Sequence, residues 1–104
     1  MTDTKAIRYL SLAAKAGKLV TGGDEVEKTI RRGKGGLLIL ACDAAPNAVH
    51  RAELLAKNSV VSLSQIPYTK SQLAVAVGRG SSIALALVTD EGLAAAFLAA
   101  AAIG

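Results

Sequence analysis

Aromatic side chains are scarce in this chain: its 104 residues hold no Trp, one Phe and two Tyr. Aliphatic packing must therefore build the core. The scarcity also argues against folds that bind RNA by stacking bases on sheet aromatics. Cys42 is the single cysteine, so no internal disulfide forms, which fits a reducing cytosol. His, Cys, Asp and Glu form no group with metal-ligand spacing, and no cofactor is expected. The N-terminus lacks the cationic-then-apolar pattern of a secretion signal. The uncharged stretch 92–104 is shorter than the about 20 residues that span a bilayer. A cytoplasmic protein without membrane contact is expected. Internal repeats and linkers are missing too.

What is present is apolar residues, 52% of the chain, which excludes a disordered polypeptide. The length suits one domain covering residues 1–104. The net charge is +4 and it is unevenly placed. Residues 1–34 carry eight cations against four acids, and residues 35–104 carry four against four. An anionic partner at the first third is a reasonable reading, and an ordinary solvated face is its bland rival.

Periodicity divides the chain into alternating helices and strands. Ile7, Leu10 and Ala14 recur at helical spacing over residues 3–16, and Gly17 ends that helix. Lys18-Leu19-Val20 reads as a short strand. A second helix spans residues 23–32, with Thr21 or Asp24 as its cap, Val26, Thr29 and Ile30 facing inward, and Gly33 closing it. Leu37-Leu38-Ile39-Leu40-Ala41-Cys42 is a continuous apolar run, as expected of a central strand buried on both faces. Pro46 opens a third helix that runs to about Lys57. Val60-Val61-Ser62-Leu63 reads as a strand, and Thr69 or Ser71 starts a helix that ends near Gly78. Residues 83–88 form another apolar strand, and Thr89-Asp90-Glu91 opens an alanine-rich last helix that packs within the molecule. This alternation specifies an α/β domain with helices on both faces of the sheet.

Few motifs carry chemistry. Gly78-Arg79-Gly80-Ser81-Ser82 has the composition of a phosphate loop, but it follows a helix and opens a strand. A phosphate loop has the reverse order, so this one reads as a turn. His50 belongs on the surface. Cys42 reads as a small buried residue, because no base accompanies it as a nucleophile would require. Asp43 begins the turn into Pro46. No enzyme is expected. The segment 22–34 is the informative one: two glycines, a first turn with Asp24 and Glu25, then Lys28, Arg31, Arg32 and Lys34. Carboxylates and cations on one helix are what reading a folded RNA demands. Acids in the first turn and cations in the last also simply complement the helix dipole.

The string GGDEVEKTIRRGKGGLLILACDAAP, preceded by LAAKAGKLVT, resembles the ribosomal protein L-seven-Ae family. That family includes kink-turn RNA-binding proteins and small bacterial YlxQ-type members, and the chain looks like the latter. The likeness continues through Pro67, the helix containing Gln72, Leu73 and Ala74, and the strand and turn of residues 83–91. It implies a three-layer α/β/α sandwich with a central mixed sheet of about four strands. It further implies a non-enzymatic protein, ribosomal or ribosome-associated, whose partner is structured RNA.

The resemblance also implies a site. Gly22 and Gly23 match a close backbone approach to the RNA. Glu25 matches a glutamate that accepts hydrogen bonds from a guanine edge, and Lys28 a lysine reaching guanine or phosphate. Arg31, Arg32 and Lys34 match backbone contacts. Arg79, Gly80 and Ser81, with Ser82, match a second contact loop. Asp24 departs from the pattern, since family members carry an asparagine there whose amide donates to guanine. An ionised aspartate cannot donate. The alternative is a protein–protein interaction module without RNA affinity, docking through the last helix or the basic helix.

Overall fold

The structure is a computed structural model and describes residues 4–59, 61–78, 80 and 82–103. The element order is α1 (Thr4–Lys15), β1 (Leu19–Thr21), α2 (Gly23–Arg31), β2 (Leu37–Leu40), α3 (Pro46–Lys57), β3 (Ser62–Gln65), α4 (Lys70–Val77), β4 (Leu85–Val88) and α5 (Glu91–Ile103). The four strands make one mixed sheet in the order β1-β4-β2-β3. β4 runs antiparallel to both β1 and β2, whereas β3 lies parallel to β2.

Strand alternation sorts the two central strands into two cores. Leu37 and Ile39 of β2, with Val88 and Ala86 opposite them, face α1, α4 and α5. Leu38 and Leu40, opposite Leu87 and Leu85, face α2 and α3. Successive side chains point to opposite faces, so a strand covered on both sides needs every residue apolar. All eight residues of β2 and β4 are buried. The outcome is the expected α/β/α sandwich.

Several elements differ from the sequence reading. The central strands end earlier, at Leu40, and start later, at Leu85. Ala41 still donates to the Ala84 carbonyl, but the Cys42 amide turns to Tyr68, and the Cys42 side chain is exposed rather than buried. β3 is shifted toward the C-terminus: Ser62 aligns with Leu37 and Gln65 with Leu40. Val60, in the expected strand, lies outside the described residues. An edge strand packs loosely, so Ser62 and Gln65 face solvent and its composition hides it. In α1 the buried stripe is Ala6, Leu10 and Ala13, with Ile7 half-buried on its flank. Small residues on that stripe let α1 lie close against α5.

α5 belongs to the core. Ala94, Phe97 and Ala100 are buried beside α1 and the sheet, in line with intramolecular packing of the alanine-rich tail. No helix among the described residues is long and apolar enough to cross a membrane. One close approach fixes the β2 entry. Gly36 has φ +146°, and a Cβ there would sit 1.9 Å from the Val88 carbonyl oxygen.

Candidate nucleic-acid interface

β1 runs into α2 with almost no connection. Thr21 still pairs with Ala86 in the sheet, Gly22 turns the chain at φ 87° and ψ 137°, and the helix begins at Gly23. Only glycine adopts such a backbone without strain. Neither Thr21 nor Asp24 caps the helix, contrary to the sequence reading; the N-cap is Gly22, with no side-chain cap hydrogen bond. Thr21 is held in the strand, and Asp24 has another partner. The other helix end is as expected. Gly33 donates to Ile30 and Lys34 to Thr29, the paired bonds of a Schellman closure. Thr29 donates its hydroxyl to the Glu25 carbonyl at 2.8 Å, which satisfies it in its buried position.

The start of α2 borders an open groove of about 620 Å³. Gly22 and Gly23 form one side. Asn47, Ala48 and Arg51 of α3 form another, with Gly80 and Ser82 at the rim and residues 83–85 beneath. The two segments that the resemblance singled out, the α2 start and the loop near residue 80, thus meet over one concavity. Arg79 and Ser81 lie outside the described residues.

Side chains of α2 divide into two flanks around the buried stripe of Val26, Thr29 and the half-buried Ile30. At 100° per residue, Glu25, Lys28 and Arg32 share one flank, and Asp24, Glu27 and Arg31 the other. Glu25 and Lys28 are both more than half exposed and stand 3.7 Å apart. The second flank is an alternating chain of charges. Arg51 Nη2 donates to Asp24 at 2.9 Å and to Glu27 at 3.0 Å, and Glu27 reaches Arg31 at 2.6 Å. The hydrogen bond from Arg51, and then its charge, hold the Asp24 carboxyl below its ordinary range. The same bonds, to Asp24 first and Glu27 second, raise the guanidinium of Arg51 above its ordinary value.

Gly23 owes its missing side chain to Arg51. A Cβ there would lie 2.6 Å from Nη1 and 3.3 Å from Nε of Arg51. Arg51 is thus draped over the first turn of α2. Its side chain lines the groove on one side and a cleft with Glu27 and Arg31 on the other.

Of the sequence-derived set, Gly22, Gly23 and Gly80 line the groove, and Asp24, Glu25 and Lys28 follow on the first two turns of α2; the rest lie apart. Arg31, Arg32 and Lys34 lie at the far end of α2, about 13 Å along its axis for nine residues at 1.5 Å each. Lys34 instead faces Lys18, Thr89 and Glu91 across a separate depression. Sequence reasoning missed Arg51 and Asn47. Their signal was faint: the helix after Pro46 carries them four residues apart, hence on one face.

The chain is similar to known proteins along nearly its whole length. It is 31% identical over 93 residues to the large ribosomal subunit protein eL30 of Methanocaldococcus jannaschii, covering 89% of this chain and 82% of that protein. Among solved structures, a Bacillus halodurans protein of unknown function superposes with a TM-score of 0.84 at 24% identity, over 94% of this chain and 97% of that one. The Giardia lamblia 15.5kD RNA binding protein superposes with a TM-score of 0.75 at 20% identity, over 96% and 84%. Residues 4–97 match the family as a whole, and the chain belongs to the ribosomal protein L7Ae/L30e/S12e/Gadd45 family.

Proposed function

We propose that the chain is a non-enzymatic RNA-binding protein, ribosomal or ribosome-associated, acting in a cytoplasmic ribonucleoprotein. It recognises structured, kink-turn-like RNA through the start of α2 and the loop near residue 80. The observation that carries this is the convergence of those two segments on one groove. Family membership supports it. The Methanocaldococcus jannaschii relative is a large ribosomal subunit protein, and the Giardia lamblia protein of the same fold is an RNA binding protein.

The chemistry of the first turns of α2, beside the groove, suits the task. The first amides of a helix lack intrahelical partners and carry partial positive charge. Glu25 offers an acceptor to a guanine N–H edge, and Lys28 offers a cation to a base or phosphate beside it. Their mutual ion pair is exposed, so exchanging it for RNA costs little.

Mobility shifts of the full chain on a kink-turn RNA and on a scrambled duplex test the reading. Binding should prefer the kink-turn and weaken steeply with salt, as phosphate contacts release counterions. Glu25→Ala should cost about 1–3 kcal/mol of discrimination between the two RNAs. Failure of the wild-type chain to bind either RNA at low salt would sink the proposal.

A further inference from the structure

We infer that Arg51 is a specificity-determining residue of this interface: held across the start of α2 by Asp24 and Glu27, it donates to the acceptor edge of a guanine in the groove. The inference rests on the RNA-binding reading above and adds to it a residue from α3.

Three observations support it. First, Arg51 is the one cation among the described residues that line the groove; the polar side chains beside it are the neutral Thr21, Asn47 and Ser82. Second, its donors are divided. Both carboxylates bond to Nη2, and neither Nη1 nor Nε has a hydrogen-bond partner among the described residues. Those two nitrogens are the ones lying over Gly23, where the α2 start borders the groove; their N–H bonds diverge, so each offers a single donor. Third, the guanidinium is fixed before any ligand arrives. Two acids on one helix hold it, and the absent Cβ of Gly23 makes room for it. A side chain already ordered loses less entropy on binding.

The chemistry of the donors selects the base. Guanine presents two adjacent acceptors, O6 and N7, so a single N–H of Arg51 meets an acceptor anywhere along that edge. Adenine places an amino donor beside N7, and cytosine presents an amino donor, so both oppose N–H to N–H. Asp24 then has a task that needs no donor of its own. Ionised, it accepts from Arg51, and the position presents a donor to RNA through its partner. A phosphate oxygen accepts from the same guanidinium, but it would do so irrespective of sequence, which gives the experiment its second arm.

The affinity of the full chain for a kink-turn RNA is measured by mobility shift over a salt series. Wild type, Arg51→Ala, Arg51→Lys and Asp24→Ala are compared. The RNA carries, at each guanine in turn, 7-deazaguanine (no N7) or 2-aminopurine (no O6). The wild type should lose about ten- to a hundredfold at one guanine. Arg51→Ala should lose a similar factor on unmodified RNA and nothing further at that guanine. Arg51→Lys, which keeps the charge without the planar guanidinium held by two acids, should restore only part of the affinity. Asp24→Ala should weaken discrimination in the same direction, because one of the two acids that hold Arg51 is gone. Two outcomes overturn the inference while leaving RNA binding intact. One is Arg51→Ala binding as tightly as wild type, or more tightly. The other is a uniform loss on every RNA with a salt slope reduced by about one, the mark of a phosphate contact. Loss of all binding by the wild type defeats the function reading instead. Because the base-analogue arm uses the wild-type chain, the absence of a loss at any guanine also overturns the inference, even if a variant unfolds.

Discussion

Asp24 shows how one side chain can be read in two ways. From the sequence it is a departure from the family asparagine and a charge set against phosphate. In the structure its charge is already met by Arg51 at 2.9 Å. That pairing has a pH signature. The carboxyl is depressed below its ordinary value of 3.8, by the hydrogen bond first and the charge second. A depressed carboxyl stabilises the fold above its unfolded value and loses that contribution as pH falls through the folded one. The stability gap between wild type and Asp24→Asn should therefore be constant near neutrality and shrink below pH 3.8, as followed by urea unfolding at several pH values. A gap that persists in strong acid would show that packing, not charge, is lost. The glycines also separate at this scale. Gly36→Ala meets both a positive φ and a backbone oxygen, and should cost at least about 2 kcal/mol in the same assay. Gly23→Ala meets only the flexible end of Arg51, so the chain should stay folded while the guanidinium is displaced. No sequence pattern separates these two glycines, because the difference lies in what passes over each one.

Elements were legible where burial is uniform and obscure where it is not. β2 and β4 are covered on both faces, so their apolar runs announce them. β3 is an edge with its outer residues in solvent, and its register follows from β2 rather than from its own residues. Of Thr69 and Ser71, the two starts the sequence offers for α4, Thr69 is the cap, through a capping box with Gln72. The start of α2 has no such cap, since a glycine turn left no side chain in position to cap. α5 decides between the two sequence-level readings of the alanine-rich tail. Phe97 is 1% exposed and Leu98 40%. Phe97→Ala should destabilise by about 3–5 kcal/mol, whereas Leu98→Ala should change stability by less than about 1 kcal/mol. Thermal unfolding of the two variants checks this. Were α5 a docking element resting loosely on the fold, Phe97→Ala would leave the melting temperature unchanged.

At the scale of the whole molecule, the charge excess of the first third is not where the groove is. Along α2, acids and bases are matched: Asp24 and Glu27 with Arg51 and Arg31, and Glu25 with Lys28. The exposed cations Lys15, Lys18, Arg32 and Lys34 have no ion pair among the described residues. They lie toward the other end of α2 and the turn before β1. This was invisible in the sequence, because Arg51 joins the matched set from α3 and the chain order hides it. The proposed function then puts base reading and phosphate attraction at different ends of one helix. Under the proposed function, Lys34→Ala and Arg32→Ala should each weaken binding to the kink-turn RNA and the scrambled duplex by a similar factor. Each should also lower the salt slope by about one. Glu25→Ala should instead alter the ratio between the two RNAs and leave the slope unchanged, since a carboxylate displaces no counterion from phosphate. Binding isotherms over a salt series separate these outcomes. If Lys34→Ala changed the ratio and not the slope, the far end of α2 would be reading sequence, and the division between its two ends would be wrong.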